Sequence, residues 1–173
     1  MKGSVIDTGN LILRPARGED AAPLFEVYGD PLAMRYWDRL PHADVAETEK
    51  LVAGIMAMAP PPRYLVVEHQ GRAVGTAGFW RESEVGYILH PRLWGQGLGG
   101  ELLRALIRYG FDRLGFDAIT AETDPDNAIS NHMLARAGFR ETGRAENTLQ
   151  LGDRWVGSVY FELRRGDENG PPG

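Results

Sequence analysis

The stretch WGQGLGGELL, Trp94 to Leu103, constrains this chain more than any other. Gly95, Gly97, Gly99 and Gly100 fall within six residues, and a helical pattern follows at once. Leu102, Leu103, Leu106, Ile107 and Phe111 recur at helical spacing, and Gly115 suits the C-terminal cap. Glycine loses the most backbone freedom on folding, so its concentration at a helix start needs a reason. A helix start presents unpaired N–H groups and a partial positive charge. Without Cβ atoms in the way, an oxyanion can approach those groups closely. Trp94 to Gly100 therefore reads as a phosphate cradle; the plainer alternative is a tight strand-to-helix turn.

Two familiar phosphate sites fail. Gly95, Gly97 and Gly100 satisfy G-x-G-x-x-G, and Glu122 supplies an acid at the end of the next strand. A dinucleotide fold, however, places its glycines directly after the first strand and needs several more strand–helix units. Here His90 to Trp94 intervene and one short helix remains. A nucleoside-triphosphate loop fails because no Gly-Lys-Ser/Thr follows.

The elements in chain order are a strand at Leu11–Arg14, a helix after Glu19-Asp20, and a second helix with Asp44 as N-cap and Glu47 three residues on. Strands follow at 64–68 and 73–80 around Gln70-Gly71, then at 84–89 before the glycines. After the long helix come a strand at 118–123, a short helix from Asn127 closed by Gly138, and two strands flanking Gly152-Asp153. The order β-α-α-β-β-β-α-β-α-β-β predicts a mixed α/β (α+β) domain over residues 1–165, with 166–173 a disordered tail. Cysteine is absent, which excludes disulfides, thiolate metal sites and a cysteine nucleophile, and no metal site is expected. A net charge of −5 without a basic cluster argues against a nucleic-acid partner. No apolar run approaches membrane-spanning length and the N-terminus lacks a signal core, so a cytoplasmic protein without membrane association is expected.

At this point the sequence resembles the GNAT superfamily of acyl-CoA N-acyltransferases, whose signature Gln/Arg-x-x-Gly-x-Gly/Ala opens a helix after a strand. Gly97 and Gly99 hold its glycines; Trp94 replaces Gln/Arg, as is common in the RimJ/RimL-type branch, where WGxGxxxE recurs. DNAISNHMLARAGF resembles that branch's NxxSxxxLxxxGF through Asn127, Ser130, Leu134, Gly138 and Phe139. SEVGYILHP and LILRPARGEDAAPLFEVYGDP resemble its strand before the glycines and its N-terminal start. The resemblance spans residues 10 to 163. It implies a mostly antiparallel sheet splayed into a V around acetyl-CoA, with helices on both faces. It also implies pantetheine against the backbone of Ile88, Leu89 and His90, pyrophosphate on the N–H groups of Gln96, Gly97, Leu98, Gly99 and Gly100 beside Trp94 and Gly95, and a possible homodimer.

The chemistry so implied is direct transfer of an acetyl group to an unprotonated amine. At pH 7 roughly a tenth of a free α-amine is neutral, and far less of a lysine amine, so a base helps. Glu84 is the candidate base, matching a glutamate of the histone-modifying branch, with Glu82 and His90 as rivals. Along the strand Glu84, Gly86 and Ile88 share one face, which glycine leaves open. Ser130 is the candidate donor to the leaving thiolate, because Leu134 occupies the place where many relatives carry a tyrosine; the alternative is a helix cap. Asn127 either binds pantetheine or holds the loop. Tyr36, Trp37 and Trp80 either wall an acceptor pocket or pack in the core. The amine substrate is a protein N-terminus or a small molecule. Gly157 and Ser158 stand where relatives often carry an aspartate, which loosens the N-terminal reading. A non-catalytic acyl-CoA-binding module is the competing function.

Overall fold

In the computed structural model, residues 6–167 are described. Eight strands form one sheet in the order β1-β2-β3-β4-β5-β6-β8-β7. They are β1 (Ile6–Asp7), β2 (Ile12–Arg14), β3 (Tyr64–His69), β4 (Arg72–Arg81), β5 (Glu84–Leu89), β6 (Ala118–Thr123), β7 (Arg140–Leu151) and β8 (Arg154–Arg164). The helices are α1 (Ala21–Tyr28), α2 (Val45–Met56), α3 (Leu98–Arg108) and α4 (Ala128–Arg136). The sequence reading lacked β1, a two-residue strand too short to show a period. The remaining elements stand within a few residues of their expected bounds. Positions 168–173 of the expected tail lie outside the described residues; Arg165 and Gly166 form a turn after β8.

Alternation along β3 to β5 divides the core into two layers. Leu65, Val67, Val74, Ala77, Phe79 and Val85 pack with Leu102, Leu103 and Leu106 of α3. Val66, Ala73 and Ile88 pack on the other face with Leu24 and Val27 of α1 and Val52 of α2. Asp44 caps α2 by accepting the Glu47 N–H at 3.2 Å, as its spacing predicted. At the sheet edge Arg14 is buried and forked onto Asp20 at 2.8 and 2.9 Å, with Glu68 at 2.6 Å. This network ties β2 to β3 and to the start of α1.

All neighbouring strands run antiparallel except β5 and β6. That parallel pair touches at a single rung among the described residues, Glu84 against Thr120, with Thr120 N–H donating to Ser83 O at 3.1 Å. Past that rung the two strands diverge. The sheet therefore opens as a V whose arms are β5 and β6.

Candidate active site

The glycine stretch sits where β5 leaves the V. After β5 a single 3-10 turn (Pro91–Leu93) leads into the loop, and α3 begins at Leu98. Gly97 is the N-cap of α3 at φ +78°, and Gly95 lies at φ +72°. Both are left-handed conformations that a side chain resists. A Cβ at either position would meet nothing within 4 Å, so both face open space. The first-turn N–H groups of α3 are pointed into that space by helix geometry. Gly99 differs: a Cβ there would lie 3.1 Å from Met133 Sδ, so its smallness lets α3 approach α4. These residues fit a bound pyrophosphate: an exposed helix start, no Cβ above it and no acidic side chain among Trp94 to Gly100.

Glu101, the next residue, faces away from that cradle. Its carboxylate accepts from Thr8 Oγ1, from Asn10 N–H at 3.2 Å and from Asn10 Nδ2 at 2.9 Å. The Thr8 contact, with help from Asn10, holds it below the usual carboxylate range. The last residue of the WGxGxxxE pattern thus pins the β1–β2 turn to α3.

The free edge of β5 requires a correction. His90 N–H donates to Val74 O at 2.8 Å, while Ser83 O points to β6. Successive strand residues turn their backbone groups to opposite edges. Ile88 therefore gives its groups, and His90 its N–H, to β4, while the His90 carbonyl accepts the Leu93 N–H at 2.9 Å; Tyr87 and Leu89 face the V. Of the expected trio only Leu89 presents a group to the gap, and its carbonyl already accepts the Trp94 indole N–H at 3.0 Å. The open groups are those of Tyr87 and the Leu89 N–H. His90 supports the loop, its Nδ1 accepting from Arg92 N–H at 3.2 Å. Gln96 likewise bonds within the loop, Nε2 to Arg92 O at 2.9 Å.

Glu84 stands at the apex of the V. Burial, then the Glu122 charge, raises its pKa above the ordinary value; Asp38 adds to this and Arg81 opposes it. Glu122 lies on the β6 arm, where buried Ser158 donates to its Oε1 at 2.5 Å and Thr148 Oγ1 sits 2.6 Å from Ser158 Oγ. On the same face as Glu84, Gly86 has the Tyr64 hydroxyl 4.0 Å from where a Cβ would be. Trp80, half exposed, meets Tyr64 edge-on at 5.3 Å. Trp37 packs edge-on against Tyr28 at 6.4 Å, and Tyr36 carries the Arg35 guanidinium on its ring. Trp80 thus reaches the Glu84 face, Trp37 closes the α1–α2 layer, and Tyr36 has a surface contact. A cavity of about 500 Å³ adjoins Ser158, bordered by Pro125, Arg144, Glu146 and Asn147.

On the other side of the V, Asn127 caps α4 by accepting the Ser130 N–H at 3.2 Å. Ser130 is therefore not the cap. Its hydroxyl lies 3.0 Å from the Tyr87 hydroxyl of β5. Sequence reasoning passed over Tyr87 and Asp38 and weighed Glu122 only as the acid of a dinucleotide pattern. Alternation from Gly86 could have flagged Tyr87; nothing local could have paired the other two with Glu84.

A family model for the acetyltransferase (GNAT) domain matches residues 10–140. The chain belongs to the GNAT acetyltransferase family. Its splayed sheet is the GNAT fold, and it is an acyl-CoA-dependent N-acetyltransferase. Curated relatives include Uncharacterized N-acetyltransferase p20 of Bacillus licheniformis, 28% identical over 166 residues and covering 90% of this chain and 93% of that one. Spermidine N(1)-acetyltransferase of Escherichia coli is 26% identical over 153 residues, 85% of this chain and 82% of that one. Among solved structures, the ribosomal L7/L12 alpha-N-protein acetyltransferase RimL in complex with coenzyme A superposes with a TM-score of 0.82 at 21% identity, over 93% of this chain and 98% of that one. GNAT enzymes use acetyl-CoA. Among the described residues no helix is long and apolar enough to cross a membrane, and no His/Cys/Asp/Glu group could hold a metal.

Proposed function

We propose that this GNAT enzyme binds acetyl-CoA along the β5 arm, with pyrophosphate on the Gly95–Gly100 cradle, and acetylates an amine entering at the Glu84 end of the V. The single observation behind this is the one-rung split of the sheet, which leaves Tyr87 and Leu89 N–H groups free beside a glycine-capped helix start. Acetyl-CoA supplies an activated thioester. The free β5 N–H groups bind its carbonyl and stabilise the charge that develops there. Glu84, directly or through one water, takes the proton from the attacking amine; its raised pKa suits that task. Ser130 donates a hydrogen bond to the leaving thiolate, and Asn127 fixes the turn that presents it.

Asp38, Glu84 and Glu122 put negative charge at the acceptor end, which favours an amine that arrives as a cation. Trp80 and Tyr64 give that entrance an aromatic wall. Among the curated relatives, one is named for spermidine and another for an alanine of ribosomal protein uS5, and amines of this kind suit that entrance. A cytoplasmic location follows from this reading, and sedimentation of the purified chain tests a homodimer. The central experiment is thiol release from acetyl-CoA and succinyl-CoA across a panel of polyamines, aminoglycosides and N-terminal peptides. Turnover of acetyl-CoA with a cationic amine is the expected result. Tight CoA binding without turnover on any amine would favour a non-catalytic binding module.

A further inference from the structure

We propose that Tyr87 is a positioning residue that aims the Ser130 hydroxyl at the leaving thiolate. The proposal rests on the reading of Ser130 given above. Tyr87 belongs to one arm of the V and Ser130 to the helix that follows the other, so their 3.0 Å contact bridges the gap. Each hydroxyl has one proton to give. A phenol is far more acidic than an aliphatic alcohol, so Tyr87 donates and the Ser130 oxygen accepts. The serine proton is then turned away from Tyr87 and is free for another acceptor. Without Tyr87, Ser130 could rotate its hydrogen into the space the phenol fills.

Both partners are held in place. The Tyr87 ring packs against the main core, while the Ser130 backbone is fixed by the Asn127 cap at 3.2 Å. Burial, opposed by the Ser130 contact, pushes the Tyr87 hydroxyl up to about 12, so it keeps its proton at neutral pH and stays a donor. In the transfer, the amine nitrogen bonds to the acetyl carbon and the C–S bond breaks with its electron pair on sulfur. The proton lost by the amine passes to Glu84 and then to water, and Ser130 keeps its own proton while sharing it with the sulfur.

The test compares binding of CoA with desulpho-CoA, which carries hydrogen in place of the thiol, at pH 9, where the free thiol is partly ionised and a bound donor draws more of it into the thiolate form. Calorimetry is run on the wild type, Tyr87→Phe, Ser130→Ala and the double variant. A hydrogen bond to a charged group is worth roughly tenfold or more in affinity. The wild type is expected to prefer CoA by about that factor. Ser130→Ala should abolish the preference, Tyr87→Phe should remove most of it, and the double variant should lose no more than Ser130→Ala. A packing defect would weaken both ligands alike and leave their ratio intact. Loss in Ser130→Ala with full retention in Tyr87→Phe overturns the role of Tyr87 and leaves that of Ser130 standing. Retention in Ser130→Ala overturns both. Tyr87→Phe removes only a hydroxyl from a packed ring, and a near-UV spectrum like that of the wild type confirms its fold.

Discussion

Gly97 and Gly115 lie at opposite ends of the helical segment that α3 begins, at φ +78° and +74°. A Cβ would meet nothing within 4 Å at either. The backbone cost of Gly97→Ala and Gly115→Ala is therefore the same left-handed strain, about 1–2 kcal/mol each. For a chain of this size 1 kcal/mol moves Tm by about 2–4 °C, so each variant should melt roughly 2–8 °C lower. Their effects on CoA should differ. At Gly97 the new methyl stands at the mouth of the N–H cradle; at Gly115 it stands at the far end. Weakening one charge-assisted N–H contact costs about 1.5–3 kcal/mol, or roughly 10- to 100-fold in Kd. Calorimetric titration of CoA, paired with thermal melts, measures both quantities. Gly97→Ala should lose both stability and affinity, and Gly115→Ala stability alone. Equal CoA affinity in the two variants would refute the cradle.

Glu84→Gln should lower kcat/KM about 10²–10⁴-fold against the best amine of the panel; a loss under threefold would make Glu84 a bystander. The same change should not lower Tm at pH 7–8. A carboxyl whose pKa is raised on folding contributes stability at low pH that is lost as pH rises through its folded value, and Gln removes that loss. Glu122→Gln removes a like charge beside Glu84, so the acidic limb of the kcat/KM profile should move to lower pH; a limb that stays put would separate the two carboxylates. Asp20→Ala should cost about 3 kcal/mol or more, roughly 6 °C or more in Tm, because it strands part of the buried Arg14 guanidinium; denaturant melts check it.

Much of this was legible because it is local. The helix start at Gly97, the Asp44 cap, the Gln70-Gly71 turn and the Asn127 turn are each set by a few consecutive residues. Hydrophobic period marked the apolar stripe of α3, but only packing put α3 against one face of the sheet and α1 and α2 against the other. What the chain could not show by itself was which strand lies beside which. The meeting of β5 and β6 joins residues 36 positions apart in sequence, Glu84 and Thr120. The single rung decides which β5 residues carry free backbone groups. That moved the open edge from Ile88 and His90 to Tyr87, since strand backbone groups alternate between edges and only the partner's side fixes the parity. The same packing brought Glu122 and Asp38 close enough to raise Glu84, and carried the α4 serine to within hydrogen-bonding distance of Tyr87. Period and capping follow from steric and hydrogen-bond rules within a turn or two of chain. Charge coupling and hydroxyl pairing depend on distances that exist only once the two arms of the sheet are assembled.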